Sequence, residues 1–245
     1  NPKLGSVDRP NSYIGRSLTR DGAKKHLEGK GQFVDDLILP RMVNLAFLRS
    51  PYAHAEIKSI NINEAKKYPG VINIYIAEDM DKVCKPWVGV LGHLGEMRSP
   101  EQSPLVKKIA RWQGEPVAIV VANTRAQAED AVEAIDIDWL EKEPQIDMET
   151  ALEKDAVVIH KELGNNLFWT RTVEQGDVQK GFNASSTVVE TTLDFARHTG
   201  VTLEPRGIVA DWNKSEEKMT IYHNGQAPHM MQHIIAKHFN ISEGL

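Results

Sequence analysis

Two short segments in the last fifth of the sequence carry the residue types best suited to chemistry. Residues 202–207 place the Glu204 carboxylate and the Arg206 guanidinium on either side of a proline, just before an apolar run. Because Glu204 precedes proline, its backbone is expected to be extended, and a partly buried carboxylate there needs a partner. Arg206 lies two residues further on, so the residues alone predict a structural ion pair between the two side chains.

The second segment, residues 224–229, is a polar loop that contains Gln226 and opens into an amphipathic helix. Free backbone N–H groups and the helix dipole favour anions at a helix N-terminus. The Gln226 amide adds two hydrogen-bond donors and one acceptor. Gln226 could therefore hold an oxo group or a phosphate, and the alternative is a turn glutamine that faces water.

A metal site is a weaker hypothesis. His229 and His233 lie four residues apart on the predicted final helix, and such a pair can bind zinc. No glutamate or cysteine between or beside them supplies a third ligand, so we expect them to line a polar or interface face. The sequence contains no GxSxG elbow, P-loop or HExxH motif that would compete with the two segments as a site.

The composition limits the classes of function. A chain of 245 residues with 41% hydrophobic and 26% charged residues fits a globular protein of one large or two smaller domains. The net charge of −5 argues against nucleic acid as a partner. No apolar run approaches the ~18 to 20 residues of a membrane span. No segment argues for export, and the single cysteine, Cys84, fits a reducing cytosol, so a cytoplasmic location is expected.

Residues 78–113 are the least periodic part of the sequence and are predicted to form a long surface loop. Gly89, Gly92 and Gly95 imitate a nucleotide-binding loop. A dinucleotide fingerprint must join a strand to a helix. These glycines lack that context, so we expect no phosphate site there.

The elements that position the two segments predict an α+β fold. A buried strand over residues 117–122, a helix opened by a capping box at Thr124 and a strand over 135–139 form a β-α-β unit, with a right-handed crossover if the strands pair in parallel. Pro228 fits the first position of a helix that ends near Asn240. Further helices are predicted over 21–28 and 177–182, and further strands over 43–49, 55–62, 71–77, 187–195, 201–203, 207–212 and 218–223, the last two as an antiparallel hairpin.

Several motifs, weak one by one, occur together in order along nearly the whole chain. In chain order they include YIGR (13–16), GKGQFVDD (29–36), RSPYAHA (49–55), GEPVA (114–118), LEPRG (203–207) and GQAPH (225–229). The ordered set resembles the large subunits of the molybdenum hydroxylases, the family of xanthine dehydrogenase, aldehyde oxidase and the carbon monoxide dehydrogenase large chain. The resemblance implies an N-terminal arm over residues 1–18, an α/β hammerhead domain over 19–143 and the first, incomplete part of a molybdopterin-binding domain over 144–245.

The same resemblance implies roles for the two segments. Gln226, with Gly225 and Ala227 beside it, would bind the molybdopterin cofactor, of the cytosine dinucleotide type, by a hydrogen bond to the apical oxo ligand of molybdenum. Glu204 and Arg206 would lie near the substrate side of that site or brace the sheet beneath it. No residue of this chain is expected to ligate molybdenum directly or to act as a catalytic group.

The family oxidises small substrates, such as an aldehyde, an N-heterocycle or carbon monoxide, with water as the oxygen source. The implied partners are the remaining molybdopterin-binding polypeptide, an FAD subunit and an iron–sulfur subunit with [2Fe–2S] clusters, in a dimer of heteromers. The sequence ends before the family's glycine-rich segment and its general-base glutamate. The chain by itself is therefore expected to be inactive, and the alternative function is a non-catalytic binding or assembly module with the hammerhead fold.

Overall fold

The computed structural model describes residues 13, 16–20, 22–89 and 95–245. The predicted arm over residues 1–18 and the glycine at position 92 lie largely outside these residues. The strands are β1 (Asn44–Arg49), β2 (Ala55–Asn61), β3 (Val71–Tyr75), β4 (Trp87–Val88), β5 (Glu101–Gln102), β6 (Ile109–Ala110), β7 (Pro116–Ala122), β8 (Asp136–Glu141), β9 (Ile208–Asn213) and β10 (Lys218–His223). The α-helices are α1 (Ala23–Leu27), α2 (Ala77–Met80), α3 (Arg125–Glu133), α4 (Val178–Ala184) and α5 (Pro228–Phe239), and 3₁₀ turns occupy Val34–Asp36, Ala65–Lys67, Thr150–Leu152 and Lys161–Leu163.

Among the described residues, the strands form four small antiparallel sheets. One sheet has the order β1-β7-β3 and a second has the order β6-β2-β8, while β4 pairs with β5 and β9 with β10. The described residues divide into two compact units, one drawn from residues 1–38 and 200–226 and the other from 39–199 and 227–245. Mixed helices and antiparallel strands confirm the predicted α+β class.

The core of the larger unit is built around β7, whose side chains are apolar on both faces. Ala118, Val120 and Ala122 are fully buried in one cluster, and Val117 is fully buried in the other. Complete burial of a valine contributes about 1.5–3 kcal/mol. A strand buried on both faces explains the continuous apolar run of its sequence.

Helix α3 covers the β1-β7-β3 sheet and begins where its sequence predicts. The Thr124 hydroxyl accepts a hydrogen bond from the Gln127 amide at 3.3 Å, which satisfies one of the free N–H groups of the first turn. Ala128 and Ala131 are fully buried against the sheet. Their small side chains allow the helix to lie close to the strands.

Three predictions about the strands are wrong. Strands β7 and β8 lie in different sheets and each pairs antiparallel with its neighbours, so α3 does not close a parallel crossover. Residues 187–195 and 201–203 form no strand, because no described residue pairs with them and their apolar side chains are exposed. The predicted loop over 78–113 contains α2, β4, β5 and β6, and its Leu105, Val106 and Ala110 are buried.

Two of the motifs that carry the family resemblance hold each other in place. The Ser50 amide donates to the Glu115 carbonyl at 2.9 Å, and the Gly114 amide donates to the Ser50 carbonyl at 2.8 Å. Gly114 has a φ of +94°, a conformation that favours glycine. The Ser50 hydroxyl, on a residue only 2% exposed, donates to the Tyr52 carbonyl at 2.9 Å and accepts from the Tyr52 amide at 3.2 Å.

A second motif contact joins the end of β8 to the same region. His54 is buried, and its Nδ1 lies 2.6 Å from the Glu143 carbonyl oxygen. The Lys142 amide donates to the His54 carbonyl at 2.9 Å. These motif residues therefore act in folding, and none of them lies near the two chemistry-bearing segments in the sequence.

No helix among the described residues is long and apolar enough to cross a membrane.

Replacing Ser50 with alanine should lower the free energy of unfolding by about 1–3 kcal/mol, because the Tyr52 amide loses its partner at a buried position. Urea unfolding followed by circular dichroism should show an earlier midpoint with an unchanged slope. The matched control is Ser59→Ala at an exposed strand position, which should change stability by less than about 0.5 kcal/mol. Equal effects of the two substitutions would contradict the structural role of Ser50.

A lysine cluster around Glu56 predicts a stability change in acid. Lys58, then Lys142, lowers the pKa of the Glu56 carboxyl from 4.5 to about 2, and their ammonium groups each lie 3.0 Å from it. A lowered carboxyl pKa stabilises the fold above the unfolded value and loses that effect as the pH falls from 4.5 towards about 2. The thermal midpoint of the wild type should therefore exceed that of Glu56→Gln at pH 7, and the difference should vanish across this acid range.

The control for that experiment is Glu64→Gln, whose carboxylate forms an exposed pair with Lys67. Exposed pairs contribute little, so its thermal midpoint should follow the wild type at every pH. A constant difference between wild type and Glu56→Gln down to pH 2 would contradict the role of the cluster.

Candidate functional site

The antiparallel hairpin β9–β10 brings the two chemistry-bearing segments together. Ile208, at the start of β9, pairs with His223, at the end of β10. The chain therefore enters and leaves the hairpin side by side. Residues 204–207 and 224–226, about twenty residues apart in sequence, lie at this same open end.

Asn224 ties the two segments to each other. Its Oδ1 accepts a hydrogen bond from the Gly207 amide at 3.2 Å, and its Nδ2 donates to the Pro205 carbonyl at 2.6 Å. The Glu204 carbonyl lies 3.5 Å from the same Nδ2 and also accepts from the Thr202 hydroxyl at 2.6 Å. A side chain that uses both its donor and its acceptor in this way fixes the spacing of the two chain ends.

Glu204 does not pair with Arg206, so the predicted ion pair is wrong. The chain bends at residues 203–204 instead of continuing as a strand. Glu204 is half-buried, and its Oε1 accepts from the Val34 amide at 3.1 Å. This contact braces the hairpin end against the 3₁₀ turn Val34–Asp36. Arg206 is exposed and forms no ion pair with any described residue.

Gly225 lies directly against the ring of His223, two residues earlier. A Cβ on Gly225 would lie 2.8 Å from Cε1 and 2.9 Å from Nδ1 of His223, closer than carbon atoms normally approach. The His223 Nδ1 itself lies 3.3 Å from the Asn224 carbonyl oxygen. The glycine thus lets the chain turn tightly over the imidazole immediately before Gln226.

The Gln226 side chain is exposed and makes no hydrogen bond with any described residue. All donors and acceptors of its amide are therefore directed to solvent. The backbone around it is held in place, because Asn224, two residues earlier, is anchored on both sides of the hairpin end. A fixed backbone with a free amide fits a binding group better than a structural one.

Helix α5 begins directly after Gln226 and has an open N-terminus. Ala227 is the N-cap residue and offers no side-chain acceptor, Pro228 occupies the first turn, and no acidic residue lies in that turn. The first backbone hydrogen bond of the helix joins the Met231 amide to the Ala227 carbonyl at 3.0 Å. The N–H groups before Met231 are thus available to an anion. Helix N–H groups of this kind suit oxo and phosphate oxygens.

The described residues contain no cluster of three side chains able to hold a metal ion. His233 instead pairs with Glu243, with Nδ1 and Oε1 2.6 Å apart. Glu243 lies ten residues from His233 and beyond the end of the helix, so the spacing of residues along the helix does not predict this pair. The left-handed conformation of Asn240, with a φ of +53°, ends α5 and allows the chain to return towards it.

The sequence analysis does not predict the role of Asn224. It assigns a binding role in this segment to Gln226 and its neighbours Gly225 and Ala227. A polar residue of the asparagine type directly after a strand commonly bonds to nearby backbone. That signal indicates a turn but does not identify the Gly207 amide as the partner, since this contact depends on the hairpin register.

Comparison with known protein families gives two matches along the chain. The family model described as "Aldehyde oxidase and xanthine dehydrogenase, a/b hammerhead domain" matches residues 28–143. The model described as "Molybdopterin cofactor-binding domain" matches residues 159–244. These matches confirm the predicted sequence of a hammerhead domain followed by molybdopterin-binding sequence.

Individual relatives agree with the family matches. The nicotine 6-hydroxylase large subunit of Paenarthrobacter nicotinovorans is 28% identical over 95% of this chain and 28% of its own length. The carbon monoxide dehydrogenase large chain of Hydrogenophaga pseudoflava is 28% identical over 93% of this chain and 29% of its own length. The crystal structure of quinoline 2-oxidoreductase from Pseudomonas putida 86 superimposes with a TM-score of 0.87 at 30% identity, over 95% of this chain and 29% of that chain.

The chain thus spans less than a third of the length of the relatives that it matches. Both family matches come from the same group of enzymes, and together they cover most of the sequence. The chain belongs to the molybdenum hydroxylase family of xanthine dehydrogenase, aldehyde oxidase and the carbon monoxide dehydrogenase large chain.

Proposed function

We propose that this chain forms part of the molybdopterin-binding large subunit of a molybdenum hydroxylase, in which Gln226 binds the cofactor. The observation that carries the proposal is the state of Gln226. Its amide is exposed and unbonded among the described residues, while the backbone two residues earlier is fixed by Asn224. The Gln226 amide is therefore held in position by its backbone, although it forms none of the hydrogen bonds that stabilise the fold.

Gly225 and Ala227 flank Gln226 in the sequence, and we propose them with it as cofactor-binding residues. Gly225 permits the tight turn over His223, and Ala227 leaves the first N–H groups of α5 without a side-chain cap. The cofactor, a molybdopterin of the cytosine dinucleotide type, supplies the redox chemistry that oxidises a small substrate with water as the oxygen source. Gln226 would hold the cofactor through hydrogen bonds donated by its side-chain amide.

Glu204 and Arg206 take different parts in this proposal. The Glu204 carboxylate accepts a hydrogen bond from the Val34 amide, and this contact helps to hold the hairpin end in place. The Arg206 guanidinium is exposed, so of these two side chains we assign Arg206 to the substrate side of the site. The substrate class is that of the family: an aldehyde, an N-heterocycle or carbon monoxide.

The electrons would leave through partner subunits that carry FAD and [2Fe–2S] clusters. A cluster requires about four cysteine ligands, and this sequence holds one cysteine, Cys84. Burial raises the pKa of the Cys84 thiol, which keeps it in the protonated form that ligates metals poorly. We propose a dimer of heteromers in which the hammerhead domain spans residues 19–143 and residues 144–245 form the first part of the molybdopterin-binding domain.

The direct test of Gln226 uses the complete complex. Gln226→Ala should lower kcat by about 10²–10³-fold, the range seen when one donor to a charged oxygen is removed. Molybdenum content and the thermal midpoint should stay at the wild-type values, because the exposed side chain makes no hydrogen bond with the described residues. The matched control is Gln179→Ala, an exposed glutamine on α4, which should keep wild-type turnover. Unchanged kcat in the Gln226→Ala complex, or a natively purified complex without molybdenum, would favour the alternative of a non-catalytic assembly module.

Two substitutions separate the functions of the Asn224 amide. Asn224→Ala removes the acceptor for the Gly207 amide and the donor to Pro205, so hydrogen exchange at the Gly207 amide should accelerate by about tenfold or more. Asn224→Asp keeps the acceptor and loses the donor, so the Gly207 amide should stay more protected than in Asn224→Ala. If both variants leave exchange at Gly207 unchanged, Asn224 does not hold the hairpin end.

A further inference from the structure

A glycine separates the anchored Asn224 from Gln226. Gly225 is the residue type with the greatest backbone freedom, so it is a flexible link in front of the Gln226 amide. The Asn224 side chain holds the chain on the other side of that link. Gln226 makes no side-chain hydrogen bond with any described residue. The anchor at Asn224 therefore does not by itself determine where the Gln226 amide points.

The imidazole of His223 lies against this flexible link. A Cβ on Gly225 would lie 2.8 Å from Cε1 and 2.9 Å from Nδ1 of the ring. The ring thus occupies the space that a side chain of residue 225 would take. Because atoms in contact cannot pass through each other, the ring limits the rotation of the backbone at Gly225.

The same ring also contacts the peptide group that joins Asn224 to Gly225. Its Nδ1 lies 3.3 Å from the Asn224 carbonyl oxygen. A carbonyl oxygen only accepts, so this contact is a hydrogen bond when Nδ1 carries the hydrogen. The bond is a long one. Packing on Gly225 and hydrogen bonding to Asn224 therefore act together on one peptide group.

His223 is well placed to support that peptide group because its own backbone is fixed. It is half-buried at the end of β10, where it pairs with Ile208 of β9. The hairpin thus holds the Cα of His223, and the short side chain connects it to the turn that follows.

We propose that His223 is a positioning residue whose imidazole orients Gln226 towards the cofactor by holding the peptide group before Gly225. This inference rests on the proposed function, in which Gln226 binds the cofactor. His223 acts only through Gln226 and contacts neither cofactor nor substrate. A displacement of about 1 Å at a positioned group can lower a rate by about 100-fold, so loss of this support should lower kcat.

The experiment measures kcat per bound molybdenum in the complete complex. His223→Ala removes both the ring and the donor, and should lower kcat by about tenfold or more while KM stays within about twofold. His223→Asn places an amide donor at the position of Nδ1, so its kcat should exceed that of His223→Ala by about threefold or more. A residue that acts only in folding would lower molybdenum content or the thermal midpoint and leave kcat per molybdenum unchanged.

A double-mutant cycle tests whether His223 acts through Gln226. In the Gln226→Ala background, His223→Ala should change kcat by less than about twofold, because no amide remains to be positioned. If His223→Ala yields no complex, His223→Asn replaces it in the cycle. The inference is overturned by additive losses in the double variant, by equal losses in His223→Ala and His223→Asn, or by an unchanged kcat in His223→Ala.

Crystal structures of the variant complexes provide a measurement that does not depend on turnover. Relative to β9 and β10, Gln226 should move by about 1 Å or more in His223→Ala. The matched control is His26→Ala in α1, because the His26 ring also lies against a glycine, Gly31. That variant should keep the wild-type position of Gln226 and wild-type kcat. An unmoved Gln226 in His223→Ala would contradict the positioning role.

The single variant Gln226→Ala separates this inference from the proposed function. Unchanged kcat in Gln226→Ala would reject the proposed function, and His223 would then have no binding group to position. A lowered kcat in Gln226→Ala, combined with additive losses in the double variant, would retain the function and reject the role of His223 alone.

Discussion

The pairing of Ile208 with His223 is the contact on which the candidate site depends. It ends the hairpin at the point where the two chemistry-bearing segments begin, and so it converts a separation of about twenty residues in sequence into neighbouring chain ends. Asn224 then fixes their spacing through the Gly207 amide and the Pro205 carbonyl. Gln226 follows with an unbonded amide. The fold thus uses one amide side chain to hold the backbone and leaves the next one free to bind.

The two parts of the sequence differ in how completely they are packed. The hammerhead part encloses two apolar clusters around β7, and its motif residues Ser50 and Gly114 satisfy each other within that core. The molybdopterin-binding part contains only two buried apolar side chains and an exposed apolar segment at residues 187–195. Hydrophobic burial is the main stabilising contribution to folding. The first part is therefore stabilised by apolar burial far more than the second part is.

Much of this architecture could be predicted from the sequence because it depends on local signals. The apolar run of β7, the Thr124 cap of α3 and the Pro228 start of α5 were each correct for the physical reason given. The errors share one cause, which is that they depend on partners distant in sequence. The parallel crossover failed because β8 pairs with β2, and the strand over 187–195 failed because alternation needs a neighbouring strand. The Glu204–Arg206 pair failed because the Val34 amide, 170 residues away, is the actual partner. Ordered motifs predicted the family better than any single residue did.

The most direct test of the account is the position of molybdenum in the native complex. Anomalous diffraction at the molybdenum absorption edge locates the metal without reference to any assumed role for the protein. The account predicts a molybdenum peak beside the Gln226 amide, with an oxo ligand about 2.7–3.2 Å from its Nε2. A molybdenum peak elsewhere, with the Gln226 amide still facing solvent, would contradict the assignment of Gln226 as a cofactor-binding residue.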